Sequence, residues 1–185
     1  MIDLKTLPRK GWLEHGIPAR KTESVASHSF ATAVTIIILK HLGMLPEGLK
    51  YQEALEIAIL HDIHEAITGD ITPRDNVPTI QKCAKEEQAI HNLMLREPAL
   101  RKLMKFLVEF TKTNVECNAS RESRYVKQID KLEMMIQALF YEKYENVDLL
   151  NFYGDYNAIL TEPSLMLLFE QIKKELNNRS GKDAN

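Results

Sequence analysis

Glu23–Leu42, ESVASHSFATAVTIIILKHL, is the stretch whose reading decides the fold class. Its Ile36-Ile37-Ile38 run, taken alone, has the β-branched composition of a strand. The whole stretch, however, holds neither Pro nor Gly and is far longer than an ordinary strand, which predicts a buried helix. Val25, Phe30, Val34, Ile37 and Ile38 recur along it at helical spacing, Ser24 stands where an N-cap is wanted, and Gly43 closes it.

The same spacing continues outward. A second helix is expected over Tyr51–Thr68, with Leu55, Ile59, Ile63 and Ile67 on one stripe and Gly69 as its stop, followed by a loop from Asp70 to Pro78. A third helix is expected over Thr79–Glu97 and a fourth over Ala99–Lys112, parted by Pro98. The longest is expected over Ser120–Glu145, its buried side marked by Val126, Ile129, Leu132, Ile136, Leu139 and Phe140. A last one, Pro163–Leu176, uses Leu165, Leu168, Phe169 and Ile172. The start of the chain, through Pro8, Gly11, Gly16 and Pro18, reads as irregular, and 177–185 as a frayed polar tail. With 7 Gly and 7 Pro in 185 residues and no internal repeat, the expectation is an all-α fold. Residues 1–176 would form a single compact helical bundle of about six main helices.

Composition excludes more than it proposes. With 44% hydrophobic and 27% charged residues the chain can bury a core, which argues against disorder. A balance of 24 Lys+Arg against 26 Asp+Glu marks neither a nucleic-acid polymer nor an anionic membrane as partner. Cys83 and Cys117 are too few for a disulfide framework, Ala31–Leu39 is too short to span a membrane, and Asp3, Lys5, Arg9 and Lys10 replace a secretory apolar run. A soluble cytoplasmic protein is expected.

Chemistry concentrates in His61-Asp62-Ile63-His64-Glu65, inside a stretch that otherwise reads as a buried helix. There His61 and Glu65 form an i, i+4 pair whose side chains meet. Burying an unpaired carboxylate costs several kcal/mol, roughly, so such a group is expected to be paired or metal-bound. His28 and Asp130 likewise interrupt apolar helix faces. Each alone is more simply a satisfied core hydrogen bonder. Together, two imidazoles and two carboxylates on three helices are the donors of an N2O2 site for a divalent first-row ion.

These residues carry a resemblance. His28, then His61-Asp62, then Asp130 resemble the metal-binding signature of the HD-domain superfamily of metal-dependent phosphohydrolases. Thr22–His28, His61–Asp70 and Val126–Glu133 are similar to the corresponding blocks of its 5′-deoxynucleotidase branch, in the same order, from about Trp12 to Tyr144. The resemblance implies an all-α, often homodimeric enzyme that hydrolyses nucleoside 5′-monophosphates, preferring deoxynucleotides, with cobalt, manganese, iron, zinc or magnesium. It implies His28, His61, Asp62 and Asp130 as metal ligands, Glu65 and Asp70 as catalytic and substrate-contacting carboxylates, and Trp12 at the phosphate end. Lys21 falls where relatives often carry a basic, substrate-binding residue. The chain departs from the pattern around Trp12: the interval to His28 is about two residues longer, and Arg9 precedes Trp12 at a distance.

A phosphate monoester needs a nucleophile at neutral pH and neutralisation of its oxygens. A bound divalent ion supplies both, lowering the pKa of water from ~15.7 towards ~7 in a favourable case. Glu65 is placed to take the water proton, and Asp70 to contact the sugar or protonate the 5′-oxygen. Arg20, Lys21, Arg74, Lys127 and Lys131 are the nearby cations. His64 completes no ligand set, and His15, His41 and His91 read as ordinary. Met134, Met135, Phe140, Tyr141 and Tyr144 read as core or dimer surface. Two alternatives stand beside this one: an HD phosphohydrolase acting on a cyclic nucleotide, a nucleoside triphosphate or an alarmone, and a sensor that binds nucleotide or metal without turnover.

Overall fold

The computed structural model describes residues 2–94, 98–113 and 119–180. Cys117, the expected helix end at Glu97 and the last five tail residues lie outside them. Among the described residues the chain is helical without strands: α1 (Ile2–Thr6), α2 (Lys10–Glu14), α3 (Val25–His41), α4 (Tyr51–Leu60), α5 (Glu65–Thr68), α6 (Thr79–Met94), α7 (Arg101–Thr111), α8 (Arg121–Glu145), α9 (Leu150–Tyr153), α10 (Tyr156–Ile159) and α11 (Pro163–Ser180). The segment expected to be irregular thus holds two short helices, and the last helix runs four residues past its expected end.

α8 is the central element, packing against α3, α4, α7, α9 and α11. Its Ser120 side chain accepts the amide of Ser123, which caps an orphan donor at the helix start. Val126, Ile129, Leu132 and Met135 are fully buried along it, whereas Phe140, expected among them, is exposed. Ser24 caps α3 in the same way, accepting from Ser27 N.

On α3 and α4 the helices form as expected but present other faces to the core. α3 buries Val25, His28, Ser29, Thr32, Ala33, Ile36 and Leu39, while Phe30 is 70% exposed and Ile38 50% exposed. The buried stripe mixes the small residues Ser29, Thr32 and Ala33 with Val25, Ile36 and Leu39 and carries His28 among them. Its hydroxyls are satisfied within the helix, Thr32 Oγ1 donating to His28 O and Ser29 Oγ to Val25 O. α4 buries Ala54, Ile57 and Ala58 and leaves Ile59 outside.

The expected continuous helix over Tyr51–Thr68 is broken at its chemistry. α4 ends at Leu60, the chain turns through residues 61–64, and α5 begins at Glu65. Ile63 N bonds to Leu60 O and Glu65 N to Asp62 O, three-residue steps in place of four. At three residues per turn, side chains i and i+3 eclipse. Asp62 and Glu65 therefore eclipse one another along one side of the turn, closer to a single line than the offset i, i+3 neighbours of a regular α-helix.

The start of the chain is pinned to the N-terminus of α3. Pro8 bridges Ser24, Arg9 N donates to Glu23 O at 3.0 Å and Val25 N to Leu7 O at 2.9 Å. This places Arg9 and Trp12 over the point where α3, α4 and α8 meet. No helix among the described residues is long and apolar enough to cross a membrane.

The buried face of α4 is tested by paired truncations. Ile57→Ala should destabilise the protein by about 2–5 kcal/mol in urea unfolding, and Ile59→Ala by no more than about 0.5 kcal/mol. Equal losses would restore the stripe expected from sequence.

Candidate metal centre and its pocket

Two helices, α3 and α8, and the turn after α4 bring the four expected ligands together. Ligand atoms of His28, His61 and Asp130, all buried, lie within 4.8 Å of one another. His28 Nε2 is 3.3 Å from His61 Nε2 and 3.2 Å from Asp130 Oδ1. Asp62 Oδ2 joins them, 3.1 Å from His61 Nε2 and 3.7 Å from His28 Nε2.

The other ring nitrogens settle what these atoms offer. His61 Nδ1–H donates to the carbonyl of Ala58 at 2.9 Å, and His28 Nδ1–H donates to Glu133 Oε2. A carbonyl can only accept, so His61 keeps a bare lone pair on Nε2. His28 is oriented by a carboxylate in the manner of metal-ligating histidines. Two Nε2 atoms and two carboxylates facing one another out of bulk water call for positive charge among them, which a proton on His28 or a metal ion supplies. The donor set fits a divalent ion, and its mixed N,O chemistry does not select among first-row metals.

The electrostatics follow from the same crowding. Burial and Arg9 press the pKa of His28 down, yet Asp130 and Glu133 outweigh them and hold it up at about 9. The carboxylates attract a positive charge to this point. Burial works to raise Asp62 and Asp130, but His61, His28 and Arg9 hold the first well below the carboxylate range, and Lys127, Lys131 and His28 hold the second there. Glu65 is the opposite case. Burial, then repulsion by Asp62 and Asp70, pushes its carboxyl up to about 10. Its Oε2 is buried and has no hydrogen-bond partner among the described residues.

A second acidic group lies behind the first: Glu23, His28 and Glu133 also converge within 4.8 Å. Its atoms are already spoken for, since Glu133 takes His28 Nδ1–H and Glu23 Oε1 takes the indole N–H of Trp12 at 2.8 Å. Burial and the neighbouring Glu133 raise Glu23 to about 7. This layer steadies His28 and does not compete for the ion.

The centre opens into a pocket of about 990 Å³, within the size of small-molecule sites. Asp62, Glu65, Asp70 and Asp130 line it, with Trp12, Phe152 and Met134 as an apolar wall. Asp70 Oδ2 accepts the backbone N–H of Lys10 at 2.7 Å. Trp12 is buried against Tyr141 and Phe152, so it offers the pocket ring surface and not its committed N–H. Lys21 is elsewhere: its ammonium pairs with Glu145 at 2.6 Å on the surface and does not line the pocket, which corrects its expected place at the substrate.

Arg9, which the spacing around Trp12 did not bring into register with the family pattern, reaches the site instead. Its Nη1 lies 3.3 Å from Asp62 Oδ2, and Asp62, Asp130, Asp70 and Glu65 together raise its pKa against the effect of burial. The only sequence signal was a basic residue three positions before a buried Trp. His64, read from sequence as ordinary, lines the pocket as well, with its pKa lowered by burial to about 4.

Comparison with known proteins identifies the family. The family model described as "HD domain" matches residues 1–166. A Bos taurus protein named 5′-deoxynucleotidase HDDC2 is 34% identical over 178 residues, covering 94% of this chain and 81% of its own length. A Schizosaccharomyces pombe protein named 5′-deoxynucleotidase hdd1 is 34% identical over 149 residues, 76% of this chain and 68% of its own. Among solved structures, a conserved hypothetical protein from Pyrococcus furiosus superposes with a TM-score of 0.71 at 30% identity, covering 93% of this chain and 94% of that one.

The second layer is tested through the metal. Glu133→Ala should weaken divalent-ion affinity by about 10- to 100-fold, measured by calorimetry with manganese. Unchanged affinity would show that Glu133 does not orient His28.

Proposed function

Because the chain belongs to the HD domain family, we propose that it is a cytoplasmic, metal-dependent 5′-deoxynucleotidase, with residues 1–176 as one catalytic domain. It hydrolyses deoxynucleoside 5′-monophosphates to nucleoside and phosphate. The observation that supports this reading is the orphaned, buried Oε2 of Glu65, a residue that lines the same pocket as Asp62 and Asp130, beside the converging donors of His28, His61 and Asp130.

His28, His61, Asp62 and Asp130 would hold the divalent ion. When bound, it supplies Lewis acidity and lowers the pKa of the attacking water. Glu65 takes the proton of that water as the new P–O bond forms; Asp62, neutralised as a ligand, no longer repels it, and the water beside its buried oxygen offsets the burial that raises its carboxyl most. As the P–O5′ bond breaks, the leaving 5′-oxygen receives that proton from Glu65. Asp70, fixed as an acceptor by the Lys10 amide, accepts a hydrogen bond from a sugar hydroxyl. Trp12 closes the wall beside it and excludes water from the reacting bond.

The outward face of α3 supports a homodimer. Phe30, Ile37, Ile38 and Leu42 are exposed there together, an apolar stripe that a monomer would leave in water.

A phosphate-release screen over ribo- and deoxynucleoside monophosphates with several metals is the test. The deoxynucleotides should be turned over, and Glu65→Gln should lower kcat by about 10²- to 10⁴-fold with metal content unchanged. Turnover confined to triphosphates or cyclic nucleotides, or nucleotide binding without turnover, would contradict the proposal. Light scattering should give the mass of two chains for the wild type and of one for Phe30→Glu; a wild-type monomer would remove the dimer.

A further inference from the structure

A phosphate dianion entering a pocket that already holds Asp62, Glu65, Asp70 and Asp130 needs a cation free to meet it. Five cationic side chains line that pocket: Arg9, Arg74, Lys82, Lys127 and Lys131. Four are engaged by the protein itself. Arg9 pairs with Asp62 at 3.3 Å, and Lys127 Nζ pairs with Asp130 Oδ2 at 3.0 Å. Arg74 Nη1 donates to the carbonyl of Glu14 at 2.6 Å, and Lys82 Nζ to the carbonyl of Ile71 at 2.7 Å. Of these five, Lys131 alone has no acceptor among the described residues within hydrogen-bond or ion-pair distance.

Its position on α8 makes this more than a surface charge. Lys127, Asp130, Lys131 and Met134 all line the pocket, at the i, i+3, i+4, i+7 spacing of one helix face. Lys131 therefore stands on the pocket side of α8, directly after the ligand Asp130 and next to the apolar wall that Met134 begins. An ammonium held in a concave site with no hydrogen-bond or ion-pair contact gives up hydration, and the field of the nearby Asp130 carboxylate returns only part of it. It recovers the rest when an anion enters.

We propose that Lys131 is the phosphate-binding residue of this site, its ammonium donating to a non-bridging oxygen of the substrate phosphoryl group and then to the inorganic phosphate product. The assignment rests on the nucleotidase reading for its substrate, but phosphate binding can be measured without turnover. The four engaged cations then have a different task. Arg9 and Lys127 neutralise and orient Asp62 and Asp130, whereas Lys131 is the point charge reserved for the ligand. Because charge builds on the equatorial oxygens as the ester breaks, the same contact strengthens towards the transition state.

The test is calorimetry of manganese-loaded protein with inorganic phosphate as the probe, beside steady-state kinetics and thermal unfolding. Lys131→Gln should weaken phosphate binding by about 10- to 100-fold, the range for a charge-assisted hydrogen bond, and lower kcat/KM by at least as much. Lys131→Arg, which keeps the charge, should recover most of both. Melting temperature and manganese affinity should be unchanged or higher in Lys131→Gln, since no protein contact is lost. Phosphate affinity unchanged in Lys131→Gln would overturn the assignment even if the wild type hydrolyses deoxynucleotides. A fall in melting temperature and metal affinity matching the loss of phosphate would overturn it too, making Lys131 a counter-ion of Asp130. Lys131-dependent phosphate binding in a wild type that turns over no deoxynucleotide would instead sink the nucleotidase reading and leave the phosphate site standing.

Discussion

Everything near the centre of this protein answers to one electrostatic constraint: two imidazoles and two carboxylates meet out of bulk water, with contacts of 3–4 Å, and the fold must hold them there. Such a cluster opposes folding unless positive charge compensates it. The protein supplies part of the compensation itself, through Arg9 on Asp62 and Lys127 on Asp130. The remainder is the place of the ion. Sites of this kind trade stability for function, and the unpartnered Glu65 oxygen and Lys131 ammonium are two further instances beside it.

The helices are arranged to meet that constraint. α8 brings Asp130 and Glu133 one turn apart, so that one carboxylate faces the centre and the other grips the far nitrogen of His28. α3 carries His28 on its buried face among the small residues Ser29, Thr32 and Ala33. The break between α4 and α5 is the third device. Three-residue steps through the His-Asp turn align Asp62 with Glu65, placing an ion ligand and the proposed base on one side of the chain.

Much of this was legible in the sequence. The helix types and most ends followed from apolar spacing and from the cap at Ser24; of the four expected ligands, His61 and Asp62 stood out in a dense polar cluster and His28 and Asp130 as interruptions of apolar faces. What was misread had a common cause. Spacing weighs size and apolarity, so it chose Phe30, Ile38 and Ile59 for the core, whereas the buried faces of α3 and α4 hold Ser29, Ala33, Ala54 and Ala58. Long-range geometry was equally invisible: nothing local shows that Arg9 folds over Asp62, that Lys21 turns away to Glu145, or that the His-Asp turn leaves the helix.

The most direct measurement of the central claim is anomalous diffraction from crystals of the protein loaded with manganese. One strong peak among His28 Nε2, His61 Nε2, Asp62 and Asp130 is the predicted result. A peak between Glu23 and Glu133, or a centre that takes up no ion while its four side chains keep their positions, would contradict it.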